Sequence, residues 1–197
     1  MGMELTYRRM PASEWTELES DPERALTFLF AIPGFDLAQL TSVLGDPEAM
    51  KAQGKAIFNA FKERQKDSTR VDIGKDWQAL HFLLTGDPSL GDEHRTDDPL
   101  HNVVSGGRPT GVDADYGPVR LLQGEDLKAT ADALHGVAVE SLREKFSAEE
   151  FNAAEIYPCR GGWDEDEIES VFHIFPKLQR FFAEACEQDE VVVLYLH

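Results

Sequence analysis

The chain has 197 residues, of which 42% are hydrophobic and 10% aromatic, enough for the core of one domain and too many for a disordered chain. It carries 37 acidic and 19 basic residues, a formal net charge of −18 at pH 7, which argues against a broad basic face for nucleic acid or anionic membranes. No apolar run approaches the roughly 20 residues that span a bilayer. We therefore expect one folded domain, residues 1–197, with no nucleic-acid or membrane partner.

The first residues alternate between apolar and polar side chains from Met3 to Arg8, which is the period of a half-buried strand. They contain no long apolar segment followed by a small-residue cleavage site, so no signal peptide is predicted and the expected location is cytoplasmic. Cys159 and Cys186 are expected to be reduced thiols in that compartment, and whether they are neighbours stays open.

Capping signals divide the following segment into helices. Ser13 is predicted to cap a first helix, and Asp-Pro pairs at 21–22 and 46–47 predict two further helix starts, because Asp caps well and Pro fits the first helical position. The stretch 25–32 is apolar nearly all round, so its helix is expected to be buried. The stretch 33–69 is predicted to be a helical insertion.

The middle of the chain contains the clearest amphipathic helix, predicted from Lys75 to Thr85 and ended by Gly86. Four residues at spacings i, i+3, i+4 and i+7 share its inner face: Trp77, Leu80, His81 and Leu84. A short helix from Asp98 to Val104 and a glycine-rich stretch at 105–118 are predicted to follow.

The last third of the chain predicts a strand at 119–122, a helix at 125–134 and a capping box formed by Ser147 and Glu150. The acidic run Asp164–Glu169 is typical of a helix N-terminus, where the helix dipole favours anions.

A kink or a break is expected at Pro176, because proline removes one bond of the helix. Val191 to Leu196 is an almost continuous apolar run, typical of a central strand. Helices outnumber strands, so the predicted fold class is α+β: a helix-rich single domain with a small mixed sheet.

Several motifs follow one another in a characteristic order: an opening MGM, DIGKDWQALHFLLTG at 72–86, DDPL at 97–100, YGPVRLL at 116–122, EIYP at 155–158 and a closing VVVLYL. Their order resembles the YfbM-like family of small bacterial domains of unknown function. The resemblance covers residues 1–9 and about 71–197, and it implies a bacterial, cytosolic, helix-rich α+β fold without implying a reaction. The length of 33–69 and the presence of Pro176 depart from the family pattern.

Polar and aromatic residues within these motifs form a candidate pocket: Trp77, His81, Tyr116, Arg120, Glu155 and Tyr157. None of them is assigned a catalytic role. His81 is read either as a general acid or base, since imidazole titrates near neutral pH, or as a core-edge histidine that donates to a backbone carbonyl behind Gly86. The second interpretation is favoured.

Tyr116 and Arg120 offer a phenol and a guanidinium to a ligand carboxylate or phosphate. The alternative is that Gly117 and Pro118 only shape the turn into the next strand, and this is favoured. Glu155 is a candidate to pair with Arg120 or with His81.

Nitrogen and oxygen ligands for a metal are present in His94, Asp97, Asp98 and His101, but their spacing matches no established pattern, so neither a metal nor a cofactor is expected. Cys159 next to Arg160 carries no local catalytic signature and is expected to be inert.

Two functions remain as hypotheses. The first is a non-catalytic interaction protein whose acidic surface binds a basic protein partner, motivated by the net charge and the acidic helix faces. The alternative is a small enzyme or ligand-binding domain that holds a small molecule in a polar and aromatic pocket around His81 and Tyr116.

Overall fold

The computed structural model describes residues 2–30, 66–90, 95, 97–158 and 161–197, together with 51, 52, 54–56 and 59. Most of the predicted insertion 33–69 lies outside the described residues, as do His94, Cys159 and Arg160.

The described strands and helices alternate irregularly along the chain, as in an α+β fold. In chain order they are β1 (Leu5–Pro11), α1 (Ala12–Glu19), α2 (Pro22–Phe30), β2 (Arg70–Gly74), α3 (Trp77–Thr85), α4 (Asn102–Ser105), β3 (Arg108–Asp113), β4 (Pro118–Leu122), α5 (Gly124–His135), α6 (Val139–Lys145), α7 (Ala148–Ala153), α8 (Glu169–Glu187) and β5 (Glu190–Leu196). Among these residues, no helix combines the length and the apolar composition needed to cross a bilayer.

The strands form one sheet in the order β2-β1-β5-β4-β3, and the prediction that the closing strand is central is confirmed. The central ladder runs from the Leu5–Leu196 pair to the Pro11–Glu190 pair. Every pairing among the described strands is antiparallel, so the expected mixed sheet is wrong, whereas the α+β class is confirmed. A tight hairpin joins β3 to β4, and such hairpins join antiparallel strands.

Both faces of the sheet are covered, which explains why β5 is apolar almost throughout. Val192 and Leu194 belong to a large core with α3, α5 and α8, and Val191 and Val193 belong to a smaller one with α1 and α2. Because successive side chains of a strand point to opposite faces, each of these residues is buried.

Local capping and helix chemistry account for several confirmed predictions. The Ser147 hydroxyl accepts a hydrogen bond from the Glu150 amide, which confirms the predicted cap of α7. Gly86 adopts φ 75° at the end of α3, the left-handed conformation that glycine tolerates.

Three local predictions are corrected. Pro11, not Ser13, occupies the N-cap position of α1. In α2 only Ala25 and Leu29 are buried, because this helix lies on the surface and packs one face on the sheet. Helix α8 continues through Pro176 without a break, since apolar side chains on both sides of the proline hold it against the large core.

Two elements in the centre of the chain also differ from prediction. Helix α4 begins at Asn102 instead of Asp98, whose carboxylate accepts the His101 amide in the preceding turn. Strand β3 lies within the stretch that was predicted only as glycine-rich.

Candidate functional site

Helix α3 places Trp77 against Tyr157. The two rings stack with centroids 5.3 Å apart, and the Trp77 indole donates to the Met3 carbonyl at 3.1 Å. The Tyr157 amide donates to the side-chain oxygen of Gln78 at 2.8 Å. This part of the predicted pocket is thus assembled where the N-terminal residues meet α3.

One turn along α3, His81 is fully buried. Its Nε2 lies 3.2 Å from the Ser89 carbonyl, which only accepts, so Nε2 carries the proton and Nδ1 is a bare acceptor. Burial, together with the nearby His101, lowers the pKa of His81 to about 4. At neutral pH this histidine is uncharged and fastens the loop behind Gly86, the interpretation favoured from sequence.

His101 and Ser105 extend this buried polar cluster. The His101 ring lies edge-on to that of His81, with centroids 5.0 Å apart, and its Nε2 is 2.9 Å from the Ser105 hydroxyl. Ser105 in turn donates to the Leu90 carbonyl at 3.0 Å. Sequence reasoning missed Ser105, although its i, i+4 spacing from His101 was a usable signal.

Ser105 borders a cavity of about 130 Å³ between α4 and the ends of β4 and β5, which we call the inner cavity. The predicted pocket residues Tyr116 and Arg120 also line it, whereas His81 does not. Arg120 donates to the carbonyls of Gly106 and Gly107 at 3.0 and 2.8 Å, so it fixes the chain that leads into β3. The remaining lining is mainly aliphatic: Leu5, Leu90, Val104, Pro118, Leu194 and Leu196.

A second cavity of about 750 Å³, the outer cavity, also borders Tyr116. Its lining carries both charge signs and two further aromatic rings, and comprises Gly2, Glu4, Phe30, Lys75, Asp115, Tyr116 and His197. Tyr116 is 48% exposed and lies at the tip of the β3–β4 hairpin, next to Asp115 at φ 58°. We call the inner and outer cavities together the sheet-end cleft.

Glu155 does not join this cleft. It is exposed at φ 52°, directly after the end of α7, and the described residues show no bond from it to Arg120 or to His81. The position of Glu155 is set by its left-handed backbone conformation after α7 and not by a side-chain partner. The motif EIYP did not indicate this conformation.

The described residues contain no group of three potential metal ligands. Cys186 is half-buried in α8 as a free thiol, and burial raises its pKa above the usual range, so the reactive thiolate is disfavoured.

A second candidate region consists of α6, α7 and the start of α8. Residues 140–169 include ten acidic and three basic residues, which is more than a third of the net charge in about 15% of the chain. All ten carboxylates are exposed. We call residues 140–169 the acidic surface.

The acidic surface rests on a cluster of aromatic rings. Phe151 contacts Phe82 and Phe146 with centroids 5.0 Å away, and Trp163 at 5.7 Å. Asn152 binds the backbone of Trp163 through both its amide oxygen and its amide nitrogen, so α7 is tied to the segment that leads into α8. The segments that carry these carboxylates are therefore joined by the aromatic contacts and by the Asn152 hydrogen bonds.

Arg143, one of the two described cations of the acidic surface, is already engaged. Both of its terminal nitrogens donate to the Glu169 carboxylate, and its guanidinium lies 4.3 Å from the centre of the Phe172 ring. This ion pair raises the pKa of Arg143, and Glu140 and Glu165 act in the same direction. Of the other nine carboxylates, that of Asp164 accepts the Asp166 and Glu167 amides, and all nine are exposed.

An antiparallel sheet covered by helices on both faces, with a cleft at its end, defines a helix-rich α+β protein. The family described as "Domain of unknown function (DUF1877)" matches residues 1–195, and the chain belongs to this family.

Protein YfbM of Escherichia coli strain K12 is 31% identical to the chain over 113 residues. The match covers 56% of the chain and 65% of YfbM, which is less than two thirds of that relative's length. The crystal structure of YfbM from E. coli, described as a protein of unknown function, superposes on this chain with a TM-score of 0.58. The superposition covers 98% of this chain and 99% of the other at 21% identity, so the two proteins share a fold. The resemblance to the YfbM-like family is confirmed.

Proposed function

We propose that this protein is an interaction protein that binds a basic protein partner through the acidic surface. The observation that carries this proposal is the uneven distribution of exposed charge: ten exposed carboxylates lie within residues 140–169, and one of the two described cations among them is held by Glu169. A one-signed surface attracts a cationic partner and accelerates its association. A bacterial, cytosolic setting is part of the proposal, supported by the E. coli relative.

The partner is expected to present lysine and arginine side chains on a complementary face. Exposed carboxylates that repel one another gain from a cation that lies between them, since this relieves repulsion as well as adding attraction.

The test compares two triple variants that remove the same charge. Glu165→Gln with Asp166→Asn and Glu167→Gln neutralises the turn that precedes α8. Glu14→Gln with Glu17→Gln and Glu23→Gln is a matched control on α1 and α2, where all three carboxylates are also exposed. Each protein is immobilised and used to capture partners from a bacterial lysate at about 0.05 and 0.5 M salt.

We expect one basic protein to be retained by the wild type and the control at low salt, and to be lost from the first variant and at high salt. Retention by both triple variants alike, or no retained protein on the wild type, would contradict the proposal.

A second candidate function, binding of a small molecule, is favoured by the sheet-end cleft. Its inner cavity combines an aliphatic lining with the Ser105 hydroxyl, and Tyr116 borders both cavities. Concave sites of this composition are typical of ligand pockets. A thermal-shift screen of small metabolites tests it, and a Tyr116→Ala variant that responds to the same compounds as the wild type would count against this site.

A further inference from the structure

We propose that the sheet-end cleft binds a free α-amino acid with an apolar side chain. The side chain occupies the inner cavity, and the ammonium and carboxylate groups lie in the outer cavity. This inference rests on the second candidate function and is independent of the acidic surface.

The inner cavity sets the size and polarity of the side chain. Its volume of about 130 Å³ is close to that of an engineered apolar cavity of about 150 Å³ that holds benzene. Aliphatic groups from three strands and α4 line most of it, including Leu5, Val104 and Leu194. A leucine or phenylalanine side chain fits these dimensions and gains from leaving water, whereas a charged side chain would lose its hydration there.

The outer cavity sets the head group. Lys75 supplies a cation, and Glu4 and Asp115 supply anions, within one lining. A carboxylate binds favourably beside Lys75, and an ammonium group beside Glu4 or Asp115. A ligand with only one charge would satisfy one of these groups and be repelled by the other, so a zwitterion is the best match. Phosphates and other polyanions are disfavoured by the two carboxylates.

The two cavities are close enough for one small ligand. Glu4 and His197 line the outer cavity, and their chain neighbours Leu5 and Leu196 line the inner one. Reciprocal backbone hydrogen bonds of 2.8 and 3.0 Å join Glu4 to His197, so this rim is fixed by the sheet. Tyr116 lines both cavities, so the charged and the apolar site meet at one side chain.

The first experiment is a calorimetric titration of the full chain with L-leucine and L-phenylalanine. Two analogues keep the leucine side chain and one charge each: 4-methylpentanoate lacks the ammonium group, and 3-methylbutylamine lacks the carboxylate. We expect saturable binding of at least one amino acid with one site per chain. Each analogue should bind at least about tenfold more weakly than leucine, because one charge-assisted hydrogen bond is lost.

The outcomes separate this inference from the function on which it rests. If an analogue binds as tightly as leucine, the zwitterion assignment is overturned while small-molecule binding stands. If none of the four compounds binds at concentrations up to about 10 mM, the inference is overturned, and the metabolite screen then decides the second candidate function separately.

A pair of lysine variants tests the location. Lys75→Gln removes the cation of the outer cavity, and Lys177→Gln makes the same change at an exposed site on α8 that lies outside the cleft. We expect Lys75→Gln to weaken amino-acid binding about tenfold and Lys177→Gln to leave it unchanged, with thermal unfolding confirming that both variants are folded. Equal affinities of the two variants would overturn the assignment to this cleft.

Discussion

The acidic surface and the sheet-end cleft are built on opposite principles. The acidic surface presents charges of one sign from short helices above an aromatic cluster, and all ten of its carboxylates are exposed. The cleft is concave, brings both charge signs together, and adjoins a buried pair of histidines through Ser105. The first arrangement acts over distance and weakens with salt, whereas the second acts at contact and depends on the fold around it.

The largest expected effect concerns the base of the acidic surface. Phe151→Ala removes the ring that contacts Phe82, Phe146 and Trp163, in a side chain that is 1% exposed. We expect the free energy of unfolding to fall by about 4 kcal/mol, from lost burial and the cavity that remains. Urea denaturation measures it, with Phe151→Leu as a milder control expected to lose less than half as much. Equal losses for the two substitutions would show that ring packing does not hold this surface together.

The buried histidine beside the cleft gives a pH dependence. His81 is neutral when folded, with a pKa of about 4, and takes up a proton near pH 6.5 when unfolded. The unfolded state binds more protons between these two pH values. The stabilisation that the neutral His81 contributes is therefore fully present above about pH 6.5, and it is lost as the pH falls toward 4, by about 3 kcal/mol in total.

Urea denaturation at pH 7 and pH 5 isolates this contribution. His81→Gln is expected to reduce the difference in unfolding free energy between the two pH values by about 2 kcal/mol. His173→Gln, at an exposed position on α8, is the matched control and should leave the difference unchanged. An unchanged pH dependence in His81→Gln would contradict the assignment of the effect to this histidine.

A glycine pair gives the smallest effect and tests the backbone that Arg120 binds beside the inner cavity. Gly107 has φ +83°, and a Cβ there would lie 2.5 Å from the Leu121 carbonyl oxygen. Gly107→Ala is therefore expected to cost about 2 kcal/mol and to disturb the carbonyl that Arg120 binds. Gly111→Ala meets nothing within 4 Å and should change the unfolding free energy by less than about 0.5 kcal/mol. A comparable loss at both glycines in thermal unfolding would refute this distinction.

The predictions from sequence were best for elements in which the hydrophobic pattern and the end signals agree on one structure. Trp77 to Gly86 follows a single helical period and a glycine stop, and the closing valine-rich run requires burial on two sides; both predictions are confirmed. The side chains that the cleft combines come from distant parts of the chain. Lys75 and Glu4 carried no signal of their own, because only the order of the strands brings them together.

The missed features have local physical reasons. Strand β3 contains Pro109 and Gly111, which are poor strand residues but are tolerated at the edge of a sheet. The contact between His101 and Ser105 was missed because the predicted helix ended at Val104, one residue before Ser105. In α8 the tertiary packing outweighed the local cost of Pro176, which a propensity argument could not weigh.

The central ladder has a consequence for biosynthesis. Strand β5 lies between β1 and β4, and its partner β1 was made almost the whole chain length earlier. On a ribosome, β1 must wait without its main neighbour until residues 190–196 have left the exit tunnel. Such distant pairing slows folding and leaves a strand edge open to other chains in the meantime. A newly made copy of this protein therefore exposes this edge of β1 until β5 pairs with it.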